Sequence, residues 1–249
     1  MTSAELFNPA LSGGQFSTTH WSVVLLAGRD QSAQGAEALE KLCRLYWPPL
    51  YSFIRRQGHT PEDAQDLTQK FFAALLERND FGSVDPRKGK FRTFLLSALS
   101  HFLANERDWA RAAKRGGDRQ IISLEALESE HRHLAEPAAN VSPDKLFDLR
   151  WATTVLEKAL RDLQAEMTTA GKGGQFERLK LFLTNEPAEG DYARVGEALR
   201  STPQAVAVSV HRLRQRYREL VRAEVAQTVA NPLEVDEEMR HLYQALTEA

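Results

Sequence analysis

Cysteine is nearly absent from the chain. The single thiol, Cys43, sits in the apolar run 39–46, so no internal disulfide can form and the residue reads as a buried apolar side chain. Long apolar runs are missing too: nothing approaches the ~18 residues of a membrane helix. The N-terminal MTSAELFNPALSGGQ has neither the basic nor the apolar segment of a secretory signal. A cytoplasmic protein with no membrane insertion is expected. Nor does either sign of charge dominate. With 32 Lys and Arg against 34 Asp and Glu, the net charge is −2. That excludes coating nucleic acid by bulk electrostatics and restricts any DNA contact to a local surface, or to one shared with a basic partner.

Catalytic patterns are also missing. Gly171-Lys-Gly-Gly174 lacks the spacing of a phosphate loop and reads as a flexible turn. His131 and His133 would diverge by ~200° on a helix and have no further ligands at suitable spacing, so no metal is expected. No Ser/His/Asp or Cys/His grouping is legible. The expectation is a protein that is not an enzyme and carries no cofactor.

What is present is helix. The 249 residues are 42% hydrophobic and 27% charged, enough for one large domain or two small ones. No strand pattern and no internal repeat is visible, so the fold class is all-α: two helical modules joined by a polar linker. Residues 1–16 read as a mobile tail and 17–116 as a helical domain. Residues 117–141 read as an acidic linker, 142–230 as a helix-turn-helix domain and 231–249 as a C-terminal helical extension. Within the first domain a short helix over 21–26 precedes one over 36–57, where Pro48-Pro49 predict a kink or break. Thr60-Pro61-Glu-Asp63 and Ser142-Pro143-Asp144 are helix starts, each with a cap, a proline at the first helical position and acids at the positive helix end.

Two blocks are informative. In the first, residues 62–115, a helical wheel sorts the stretch after Lys90 into two faces. Phe91, Phe94, Leu95, Ala98, Phe102 and Trp109 lie on one side. Thr93, Ser97, Ser100, Arg107, Arg111, Lys114 and Arg115 lie opposite, within an arc of roughly 100°. In the second, residues 192–199 form a short helix, Arg200-Ser-Thr202 a tight turn and residues 203–222 a long helix, the proportions of a helix-turn-helix. Val206, Val210, Leu213, Tyr217, Leu220 and Val221 form its buried stripe. Gln204, Val208, His211, Arg212 and Gln215 point away, with Thr202 at the helix start. Arg214, Arg216, Arg218 and Arg222 flank the edges within reach of phosphates.

Residues 63–69 (Asp-Ala-Gln-Asp-Leu-Thr-Gln) with Phe71-Phe72, and residues 91–96 (Phe-Arg-Thr-Phe-Leu-Leu), resemble region two of bacterial RNA polymerase sigma factors of the extracytoplasmic-function (ECF) class. His211-Arg-Leu-Arg214, placed after Leu199, is similar to the His-Arg-x-Arg signature of their region four. The resemblance spans roughly 39–115 and 146–226. It implies a subunit that binds the two large subunits of core RNA polymerase, recognises promoter DNA and helps melt it.

Asp63, Asp66 and Gln69 would then face polymerase. Arg87, Lys88, Lys90 and Arg92 would hold the melted strand beside Phe81, and Arg107, Arg111, Lys114 and Arg115 the duplex backbone upstream. Thr202, Gln204, Val208, His211, Arg212, Gln215 and Arg216 would meet the upstream element. The acidic linker would mimic nucleic acid inside a basic channel. An inhibitory or regulatory partner suits the class, although the sequence names none. Departures from the family pattern are Lys70 in place of an acid, Ala207 and Ser209 in place of basic residues, Arg200 in place of a turn glycine, and a Gly-rich insertion over 170–174. Thr68, a phosphorylation candidate by position, falls between Phe71 and Phe72 and is expected to be buried. Other readings of the same residues are a stand-alone helix-turn-helix regulator that binds DNA without polymerase, and a helical interaction module that binds no DNA.

Overall fold

The computed structural model of the chain describes residues 33–77, 90–113, 141–229 and 231–248. Among them every regular element is helical: α1 (Ala33–Arg56), α2 (Pro61–Glu77), α3 (Phe91–Ala113), α4 (Pro143–Thr169), α5 (Gly173–Leu179), α6 (Asp191–Leu199), α7 (Pro203–Ala226) and α8 (Val235–Thr247), with 3₁₀ turns at Lys180–Leu183 and Pro232–Glu234. The N-terminal tail, the expected helix over 21–26, Phe81, Arg87, Lys88, Lys114, Arg115 and nearly all of the linker lie outside the described residues.

The expected caps form. The Asp63 backbone N–H donates to Thr60 Oγ1 at 3.1 Å at the start of α2. Ser142 accepts from the Lys145 N–H at 3.3 Å at the start of α4. Of the kink or break expected at Pro48-Pro49, the break does not occur: both prolines lie inside one helical span. Each interior proline costs about 3 kcal/mol. The six large side chains buried around them (Leu45, Tyr46, Trp47, Leu50, Phe53 and Ile54) return about 1.5–3 kcal/mol each on leaving water, and tertiary packing wins.

The centre of α3 is a stripe at four-residue spacing, Phe91, Leu95, Leu99 and Leu103, all fully buried. Tyr46 meets Phe91 edge-on at 5.2 Å, and Phe71 meets Phe102 at 5.6 Å. Trp109 shares this side of the wheel yet is 65% exposed. No described α3 residue beyond Leu103 is buried, so the end of the helix outruns the core formed by the described residues. Thr68 is fully buried, as expected, and its hydroxyl donates to the Ala64 carbonyl at 2.6 Å.

The larger core is not confined to the first half. Phe147, Trp151, Ala152, Val155 and Ala159 of α4 join the cluster built by α1, α2 and α3, and so do Val221 and Val225 of α7 and Val235 and Leu242 of α8. A second, smaller cluster gathers Leu163 at the far end of α4 with Phe176, Leu179, Phe182, Val206, Val210 and Leu213. Tyr217 and Leu220 pack against both. Helix α4 is therefore a spine shared by the two halves, and α8 packs into the larger core instead of extending from it.

Candidate nucleic-acid and polymerase surfaces

The helix-turn-helix is made by α6 and α7. The Ser201 N–H donates to the Gly196 carbonyl at 2.8 Å and the Arg200 N–H to Glu197 at 3.2 Å, a Schellman closure with Arg200 left-handed at φ 52°, ψ 47°. Gly196 is what lets the turn close. A Cβ there would sit 2.8 Å from the Ser201 carbonyl oxygen. Thr202 then caps α7, its hydroxyl accepting from the Ala205 N–H at 3.2 Å, so this candidate contact is committed first to the helix start. Val206, Val210, Leu213 and Val221 are buried as expected, while Tyr217 and Leu220 are half-buried. Gln204, Val208, His211, Arg212 and Gln215 form one exposed face.

The arginines along α7 divide into two groups. Arg212 and Arg218 make no ion pair among the described residues. Arg216, expected on DNA, grips Glu166 of α4 through two nitrogens at 2.7 and 2.9 Å and Glu219 at 3.0 Å. These bonds hold the Glu166 carboxyl below its usual range and raise Arg216 further. Arg214 donates to the Phe182 and Asn185 carbonyls at 2.6 and 2.9 Å and closes the chain after the 3₁₀ turn. Arg222 pairs with Asp236 of α8 at 2.5 Å. These three cations are spent within the protein, because carboxylates or carbonyls from elements distant in sequence fold against them.

Sequence reasoning missed a groove of about 620 Å³ beside the turn, between the start of α5 and the start of α7. Lys172, Arg178 and Arg200 line it with Gln175, Ser201 and Ser209. None of the three cations has an ion pair among the described residues. Gly171 (φ 70°) ends α4 with the Lys172 N–H donating to the Met167 carbonyl at 2.8 Å, which fixes Lys172 at the groove's edge. The signal was the Gly-Lys-Gly-Gly run itself, whose lysine carries charge into a turn that must be tight.

In the first half, Asp63 is exposed, whereas Asp66 pairs with Lys70 one helical turn on at 2.8 Å. Gln69 is half-buried beside them. The two carboxylates expected to face a partner thus differ: Asp63 is free and Asp66 is already partly neutralised.

The largest departure concerns Lys90 and Arg92. Both were expected on an open DNA surface, but their side chains are only 18% and 12% exposed. Arg92 Nε donates to Glu238 of α8 at 2.6 Å and its Nη1 to Asp148 of α4 at 3.0 Å, with the guanidinium 5.5 Å from the Trp151 ring centre. Lys90 lies 2.9 Å from Glu237 and 3.0 Å from Glu238. Burial works against the Lys90 charge, but the two carboxylates outweigh it and hold its pKa above the ordinary lysine value. The sequence could not show this, because Asp148 lies 56 residues from Arg92 and Glu238 lies 146 away. Arg107 is exposed, and its Nε folds back to the Leu103 carbonyl at 3.2 Å. The Arg111 side chain, like Arg87, Lys88, Lys114 and Arg115, is outside the description.

Among the described residues no helix is long and apolar enough to cross a membrane, and no group of three or more acidic, histidine or cysteine side chains is placed to hold a metal ion. Compared with known proteins, the chain matches no family model, no curated protein and no solved structure.

Proposed function

We propose that the protein is an ECF-class sigma factor, a dissociable cytoplasmic subunit that brings core RNA polymerase to a promoter and helps open it. The observation that carries this reading is the helix-turn-helix, whose turn is closed by Gly196 and whose second helix leaves Gln204, Val208, His211, Arg212 and Gln215 on one free face. A helix of this kind fits the major groove. Support comes also from the acidic α2 and the aromatic-rich α3 lying upstream in the order that the family resemblance requires. Asp63, with Asp66 and Gln69, would meet basic residues of the large polymerase subunit, contributing register and on-rate more than affinity. The α7 face would touch base edges, and the Lys172, Arg178 and Arg200 groove would take backbone phosphates. The work is done by binding, with no covalent step and no cofactor.

The test is binding of the labelled protein to core polymerase, followed by fluorescence anisotropy. Submicromolar binding that Asp63→Arg weakens about tenfold is expected, since that is the loss of one interfacial charge contact worth about 1.4 kcal/mol. Failure to bind core, together with salt-dependent binding to duplex DNA alone, would replace this reading with the stand-alone regulator.

A further inference from the structure

Three consecutive acids open α8, and each finds a cation on another element. Asp236 pairs with Arg222 of α7, Glu237 with Lys90, and Glu238 with both Lys90 and Arg92 at the start of α3. The same place is tied at the backbone, where the Phe91 N–H donates to the Thr228 carbonyl at 3.2 Å. Glu238 is fully buried.

A buried carboxylate is tolerated only when paired, and a buried ion cluster rarely stabilises more than apolar packing of equal volume. Val235 and Leu242 already attach α8 by apolar contact. What the carboxylates add is a pair of anionic groups lying on two cations, the arrangement a nucleic-acid backbone would make with the same side chains.

We propose that α8 is an internal competitor for nucleic acid: Glu237 and Glu238 hold Lys90 and Arg92 in place of backbone phosphates, and a DNA strand reaches the start of α3 only when α8 lifts. The proposal rests on the reading in which Lys90 and Arg92 face promoter DNA. With 13 residues, α8 is too short to persist as a free helix in water, so lifting it amounts to local unfolding, with the rest of the core intact. Release is unequal. Lys90 loses both its partners, whereas Arg92 keeps Asp148 and the Trp151 ring. Lys90 is therefore the group whose availability changes most. Asp148 also faces His241 of α8 at 3.1 Å, so it too is shared across the joint.

The test compares the affinity of the full chain for a labelled oligothymidine strand, by anisotropy, with that of two release variants. Glu237→Gln/Glu238→Gln removes the competing charge. Leu242→Asp dislodges α8 from its apolar side while leaving the acids in place. Hydrogen exchange of the α8 amides reports release in each.

If α8 is closed about nine-tenths of the time, freeing it raises apparent affinity about tenfold. Both variants are expected to bind more tightly as α8 loses protection, and adding Lys90→Ala is expected to abolish the gain. Unchanged affinity despite freely exchanging α8 amides would overturn the proposal. So would a gain that survives Lys90→Ala, or a charge-neutral variant that neither frees α8 nor tightens binding. Core polymerase binding, measured in parallel, separates the two claims. Binding to core without any gain in strand affinity would sink the latch alone, and a Lys90-dependent gain without core binding would sink the sigma reading alone.

Discussion

Arg200 holds a backbone conformation that an L side chain enters at a cost of about 1 kcal/mol and glycine enters freely. Arg200→Gly is therefore expected to raise stability by about 1 kcal/mol in urea titration. It should also weaken binding to duplex DNA, because the groove loses one of three cations. Gly196 carries the opposite constraint. Its Cβ contact at 2.8 Å would be with backbone, which cannot swing aside, so Gly196→Ala should destabilise by about 1–3 kcal/mol and open the turn. Cys43, half-buried where full burial was expected and pushed up to about 12 by burial and by Glu40, should react slowly with thiol reagents at neutral pH and faster once the chain unfolds. The caps at Thr60 and Ser142 were legible from local sequence, because each depends on neighbours within four positions, and the burial of Thr68 was legible from helical periodicity. The Gly196 approach and the partners of Arg214 and Arg216 were not, since they are set by where another helix arrives.

Among the elements, α8 has the most specific behaviour with pH. The Lys90 and Arg222 bonds hold the carboxyls of Glu237 and Asp236 below their usual 4.5 and 3.8. Groups lowered on folding contribute attachment that is complete above those usual values and is lost as pH falls through the lowered ones. Lys90 is raised, so its share is complete below 10.5 and fades only as pH rises through its higher folded value. Protection of the α8 amides, corrected for intrinsic exchange, should thus be flat across neutral pH and fall in acid before the core is lost. Protection that instead falls between pH 6 and 8 would contradict this account, since neither the lowered carboxyls nor the raised Lys90 loses its charge there.

How well the sequence foretold an element followed how far its pattern depended on neighbours. The α3 wheel sorted Thr93, Ser97, Ser100 and Arg107 correctly, but a wheel records direction only. It could not tell that, among the described residues of α3, burial ends at Leu103. The proline pair in α1 does not end the helix for a related reason: local preference disfavours continuation there, and burial of the surrounding side chains overrides it.

At the scale of the whole molecule, the larger of two apolar clusters draws on both sides of the polar linker, while the smaller lies entirely in the second half. Trp151, fully buried on α4, stands in the cluster that holds α1, α3, α7 and α8 together. Trp151→Ala is expected to cost about 3–5 kcal/mol. Denaturation followed by tryptophan fluorescence and by circular dichroism should give coincident transitions, while separate transitions for the two halves would refute the shared core. The sequence concealed this because apolar stripes on α4 and α7 name no partner, and a polar stretch of over twenty residues reads as a separator even where the chain returns to pack on itself. The same packing sets the functional question, since Lys90 and Arg92, expected to meet DNA in the first half, are held by acids from the second.

The measurement that bears most directly on the central claim is abortive transcription by core RNA polymerase on a fork-junction promoter library, with and without the protein. The expected result is protein-dependent initiation from a subset of sequences, diminished by Asp63→Arg. Initiation from none of them by either the full chain or its Glu237→Gln/Glu238→Gln variant, with core polymerase shown to be active with another initiation factor, would contradict the sigma-factor account.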